Sequence, residues 1–215
     1  MVEIIPAILP KSLADLKAHL ERIQGIAPLV QIDLVESNIL AELEKMPLKE
    51  ELVFECDIML QDPALEVGVC VDAGASRVVV HAAAKSAREA LEEFQHLRAG
   101  EFPVMAGVAL HSHDTPEVLK NFDGLYDYVQ VMGIDRIGRQ GEPPDPHHQE
   151  IKLVAQLRKK FPDLVIQVDG GVAAHARELA LAGANRLVVG SAIVQAENPQ
   201  EVYKTLYSKA NGLVA

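Results

Sequence analysis

The chain has 215 residues, 49% of them hydrophobic and 24% charged. This is a folded, globular composition, and the length suits one domain (1–215) with a sizeable core. The formal net charge of -11 excludes a binder of nucleic-acid backbones, which needs a basic face, but leaves room for a small phosphorylated ligand held by a few local donors.

Apolar runs and amphipathic stretches alternate along the chain. A first strand is predicted over residues 3–9, followed by a helix over 12–24 that places Leu13, Leu16, Leu20 and Ile23 near one face. A strand at 29–35 leads to a short helix near 40–46, just before Pro47. The third strand (52–60) and the fourth (77–82) are followed by helices at 63–73 and 84–97. Further strands are expected at 104–111 and 126–132. The loop 133–146 then leads to a helix over 147–161, with Ile151, Val154, Leu157 and Phe161 at spacings of three and four. Strands at 164–169 and 186–190 complete the pattern, with a last helix after them. Eight alternating units imply parallel strands with right-handed crossovers, and hence a (β/α)8 TIM barrel. An open doubly wound sheet would place its glycine-rich turn after the first strand, but here that strand ends in Ala7-Ile8-Leu9-Pro10.

No stretch approaches the roughly 18 apolar residues of a membrane span, so no membrane partner is expected. Met1-Val2-Glu3-Ile4-Ile5-Pro6 lacks the basic region of a signal peptide, and Cys56 and Cys70 lack metal-site spacing. A cytoplasmic protein with buried, unreactive cysteines is expected.

Strand side chains alternate between faces. Val30, Ile32 and Leu34 oppose Gln31 and Asp33; Cys56, Ile58 and Leu60 oppose Glu55, Asp57 and Met59; Ile166 and Val168 oppose Gln167 and Asp169. Apolar sets suit the outer helices, so the polar sets face the barrel interior. One such carboxylate could cap a loop or pair with an arginine. A cluster of them at strand ends suits proton transfer, a hard divalent cation, or both. No predicted strand contains lysine, which disfavours Schiff-base chemistry.

Glycines cluster after the later strands, in Val168-Asp169-Gly170-Gly171-Val172 and Val189-Gly190-Ser191-Ala192. Either could be a tight turn; two in succession point to a phosphorylated ligand approaching the main chain closely. Gly138 and Arg139 of the preceding loop could add an amide and a positive charge, although Arg139 could also pair with a surface acid. His81 ends the fourth strand on the inward parity, either to touch substrate or to make a structural hydrogen bond. His111, His113, His147 and His148 give no zinc pattern.

These motifs resemble the ribulose-phosphate 3-epimerases, in strand order and over most of the chain. Ile5-Pro6-Ala7-Ile8-Leu9 is similar to that family's opening strand, Gln31-Ile32-Asp33 takes its His-x-Asp position, and Asp57-Ile58-Met59 takes its His-Leu-Met position. Gly107-Val108-Ala109-Leu110, Val131-Met132, Val168-Asp169-Gly170-Gly171-Val172 and Gly190-Ser191-Ala192-Ile193 continue the match. The resemblance implies two aspartates, Asp33 and Asp169, shuttling protons at C3 of a ketose phosphate through an enediolate. It also implies a homo-oligomer, a role in pentose phosphate metabolism, and a metal held by two histidines and the aspartates.

Both histidine positions differ here, as Gln31 and Asp57. An ion at Asp33, Asp57 and Asp169 would therefore be harder than zinc, such as Mg or Mn. Alternatively, Gln31 supplies an amide hydrogen bond and no metal is used. Gln31, Met59, His81 and Met132 are the expected substrate contacts, and Gly138, Arg139, Gly170, Gly171, Gly190 and Ser191 the expected phosphate contacts. Ala7 replaces the family's opening-strand serine, and Val35-Glu36-Ser37 replaces its Met-Asp-Gly segment. Another phosphosugar isomerase or lyase, or a non-catalytic phosphosugar-binding protein, are the other readings.

Overall fold

Residue-by-residue register carries the architecture. Ala7 pairs with Gln31, Gln31 with Glu55, Glu55 with Arg77, and Arg77 with Met105, always in parallel. Residues of one parity therefore meet at similar heights inside the molecule. The computed structural model describes residues 1–36, 39, 52–98, 104–139, 141–142 and 146–213. Its strands are β1 (Glu3–Ile8), β2 (Val30–Leu34), β3 (Phe54–Ile58), β4 (Arg77–His81), β5 (Met105–Leu110), β6 (Tyr128–Met132), β7 (Val165–Asp169) and β8 (Arg186–Val189). They close in chain order, with β8 pairing back to β1, as a (β/α)8 TIM barrel.

The surrounding helices are α1 (Leu13–Ile23), α2 (Glu66–Asp72), α3 (Ala87–Arg98), α4 (Gln149–Lys160), α5 (Ala176–Ala182), α6 (Ser191–Val194) and α7 (Pro199–Asn211). α1 starts where the sequence directs it, because the Ser12 hydroxyl accepts the Asp15 N–H at 3.1 Å. Between β5 and β6 the chain makes a 3-10 helix, Pro116–Phe122, in place of an α-helix. Pro116 starts it, and Gly124 follows with a φ of 76°. The helix expected near 40–46 lies outside the described residues.

The core is a ring between strands and helices. Ile32, Ile58, Val80, Val108, Val131 and Leu187 point outward onto Leu16, Leu91, Phe94 and Leu157, all buried. Each such side chain contributes about 1.5–3 kcal/mol by leaving water. Cys56 and Cys70 lie in this ring, both buried. Inside the barrel Tyr128 packs against Gly107, where an added Cβ would lie 2.5 Å from the ring's Cζ, so only glycine fits there.

Candidate active site

The inward parity of β2, β3, β4, β6 and β7 delivers Gln31, Asp33, Glu55, Asp57, His81, Gln130, Gln167 and Asp169 to one buried space. Asp33 stands beside Asp57 in the register, and Asp169 beside Met132. Asp33 and Asp169 come from strands separated by β1 and β8, yet both reach the same centre. One oxygen from each of Asp33, Asp57 and Asp169 lies within 4.8 Å of the others.

Two of these clustered carboxylates, Asp33 and Asp169, resist ionisation. Burial, with Asp57 beside it, pushes Asp33 up to about 8. Burial and the neighbouring Asp33 and Asp57 raise Asp169 well above the usual carboxylate range. Burial also raises Glu55, against the opposing hydrogen bonds of Tyr128 and Gln167. Gln31 donates its Nε2–H to Asp33 Oδ1 at 2.8 Å. Asp57 is held on both oxygens: Oδ2 accepts from Gln130 Nε2 at 2.6 Å, and Oδ1 lies 2.9 Å from His81 Nε2.

Above the carboxylates opens a cavity of about 280 Å³. Asp33, Asp169, Met59 and Met132 line its deep end; Gly170, Gly171, Gly190 and Ser191 line one wall, and Gly138 and Arg139 come from the loop above. Gly170 has a φ of 93°, a conformation that glycine adopts without strain, and this turns the chain sharply after Asp169. α5 begins only at Ala176, so residues 171–174 border the cavity as a turn rather than as the first residues of a helix. Glu142 also lines the cavity and is gripped by Arg136, whose Nη2 donates to Oε2 at 2.8 Å.

The structure thus gathers most of the residues picked out in the sequence around one cavity. Asp57, Gln31 and His81 are not on its wall but lie directly behind the carboxylates. His81 is turned onto Asp57, the structural role open to it from sequence, and Gln31 onto Asp33. Gln130 and Glu142 were not singled out. Gln130 had a signal, because it shares inward parity with Tyr128 and Met132; Glu142 lies in a loop, where periodicity says nothing.

Comparison with known proteins agrees with this geometry. The profile of the Ribulose-phosphate 3 epimerase family matches residues 3–194. The chain belongs to the ribulose-phosphate 3-epimerase family. It is 30% identical over 218 residues to "Ribulose-phosphate 3-epimerase" of Schizosaccharomyces pombe, covering 95% of this chain and 92% of the relative. It is also 30% identical over 207 residues to the protein of the same name from Bacillus subtilis, covering 90% and 92%. Among solved structures, 3-hexulose-6-phosphate synthase from Salmonella typhimurium superposes with a TM-score of 0.75 at 16% identity, covering 98% of this chain and 99% of that one. Orotidine 5'-monophosphate decarboxylase from Sulfolobus solfataricus gives a TM-score of 0.67 at 14% identity and full coverage of both chains. These two establish the shared barrel.

The donor set of this family member fits a divalent cation. Among the described residues, Asp33, Asp57 and Asp169 converge closely enough to share an ion, and their mutual repulsion is what a cation would relieve. All three donors are oxygens, with no imidazole nitrogen or thiolate among them.

Proposed function

We propose that the chain interconverts the C3 epimers of a ketose phosphate, ribulose 5-phosphate and xylulose 5-phosphate. The observation that supports this most is a pair of buried aspartates, Asp33 and Asp169, at the floor of a cavity walled by glycine turns. The phosphate would rest against Gly170, Gly171, Gly190 and Ser191, under Gly138 and Arg139. The carbon chain would then run inward between Met59 and Met132, towards the two carboxylates.

One aspartate, ionised, takes the proton from C3. The electron pair of the broken C–H bond moves into the C2 carbonyl and gives an enediolate. The other aspartate, in its acid form, delivers a proton to the opposite face of C3, and the roles exchange in the reverse reaction. An acid near 8 is well placed to hold that proton at neutral pH. Gln31 supports Asp33 from behind, while His81 and Gln130 hold Asp57 still.

Asp33, Asp57 and Asp169 would hold a hard divalent cation such as Mg or Mn in preference to tightly bound Zn, and such an ion would stabilise negative charge on the substrate oxygens. The protein would act in the cytoplasm, and, as the resemblance implies, as a homo-oligomer; a monomer by light scattering at micromolar concentration would contradict the second point. The test of the reaction is conversion of ribulose 5-phosphate to xylulose 5-phosphate by the purified protein. Conversion is expected with Mg or Mn present, and folded protein that converts nothing would overturn the reading.

A further inference from the structure

Beneath the three aspartates lies a ladder of buried amides. Gln167 occupies its centre, fully buried, with three oxygens around its Nε2: Gln31 Oε1 at 3.2 Å, Gln130 Oε1 at 2.8 Å and Glu55 Oε1 at 2.7 Å. Among the described residues its own Oε1 has no hydrogen-bond partner. A glutamine amide can flip, but with Gln31 and Gln130 placed as they are, rotating this one would set its carbonyl oxygen against three acceptors. Fixing Gln167 in turn fixes its neighbours. With its Oε1 on Gln167, Gln31 must aim its N–H at Asp33 Oδ1; with its Oε1 on Gln167, Gln130 must aim its N–H at Asp57 Oδ2.

We infer that Gln167 is a positioning residue, whose single amide group sets the orientation of Gln31 and Gln130 and thereby aims one N–H at Asp33 and another at Asp57. It touches neither substrate nor the reacting atoms. Without it both amides are free to turn, presenting lone pairs to carboxylates whose position the proton transfer depends on. A filler of the barrel interior would matter only for stability. The inference rests on the epimerase reading for its kinetic consequence but not for its geometry.

The test is Gln167→Met, similar in size but without an N–H. The expected result is a fall in kcat for ribulose 5-phosphate of about tenfold or more, with KM changed less than about twofold, because the phosphate wall is untouched. In 15N-labelled protein, the side-chain amide signals of Gln31 and Gln130 are expected to move and lose their protection from solvent exchange. Should that variant not fold, Gln167→Glu keeps the shape and reverses the polarity at Nε2, with the same two changes expected. Unchanged kcat in folded variants, or a raised KM with kcat intact, overturns the inference. So do Gln31 and Gln130 amide signals that stay put. If the parent protein does not epimerise, the functional reading fails alone, and the amide signals still decide the ladder.

Discussion

His81 Nε2 lies 2.9 Å from Asp57 Oδ1, with both side chains buried behind the cavity floor. Gln130 holds the other oxygen of Asp57 at 2.6 Å, so this carboxylate is tied at both ends. Asp33 and Asp169, by contrast, line the cavity itself. The three aspartates therefore differ in placement: Asp33 and Asp169 line the cavity, and Asp57 lies behind them, held at both oxygens.

Asp33→Asn and Asp169→Asn should each lower kcat about 100- to 10,000-fold, since each removes one partner of the proposed proton transfer. Both amides are nearly isosteric with the carboxylates, so circular dichroism should be unchanged. Steady-state assays in both reaction directions check this. Either variant retaining parental kcat would remove that residue from the chemistry.

The raised carboxylates also predict how stability depends on pH. Asp33 titrates near 8 in the folded protein against an ordinary 3.8, so the folded state holds its proton more tightly than the unfolded chain does. Its contribution to stability is complete below the unfolded value and is lost as pH rises through about 8. Asp169 shifts in the same direction. In chelator-treated protein the melting temperature should fall between about pH 5 and about pH 9, and less steeply in Asp33→Asn. A flat or rising profile would contradict the burial argument.

A cation entering this site must displace those protons. Affinity for Mn or Mg should therefore rise with pH, and calorimetry in buffers of different ionisation enthalpy should detect proton release. Elemental analysis should find no stoichiometric zinc after dialysis. Zinc retained at one per chain would show that the oxygen donors do not set the preference.

At the other end of the cavity, Gly190→Asp places a negative charge where the phosphate is proposed to sit. KM should rise on the order of tenfold or more, as like charges meet. Arg139→Ala, in an exposed loop position, should raise KM only about two- to fivefold. A folded Gly190→Asp protein with parental KM would mean that the phosphate lies elsewhere.

Much of this was legible in the sequence because period-two alternation is unambiguous where charged residues interrupt apolar strands. Gln31-Ile32-Asp33 and Glu55-Cys56-Asp57 declare their inward faces without a structure. β6 was harder: Tyr128-Val129-Gln130-Val131-Met132 is nearly all apolar, so its one interior amide passed as part of a buried run. The partners of Gln167 and His81 were beyond reach, because they depend on barrel closure setting strands β2, β3, β4, β6 and β7 around one centre. The start of α5 has no signal in the sequence. Six residues, 170–175, opened by Gly170 and Gly171, separate β7 from the helix, and turn length leaves no periodic trace.

Proton transfer at C3 by Asp33 and Asp169 is the step on which the proposed function rests. The most direct measurement is proton NMR of ribulose 5-phosphate incubated with the protein in deuterium oxide, with Mg or Mn present. The C3 proton signal is expected to disappear as xylulose 5-phosphate forms carrying deuterium at C3, and neither Asp33→Asn nor Asp169→Asn is expected to form xylulose 5-phosphate at a comparable rate. A C3 signal that persists undiminished in the presence of the folded parent protein, with no xylulose 5-phosphate formed, would contradict it.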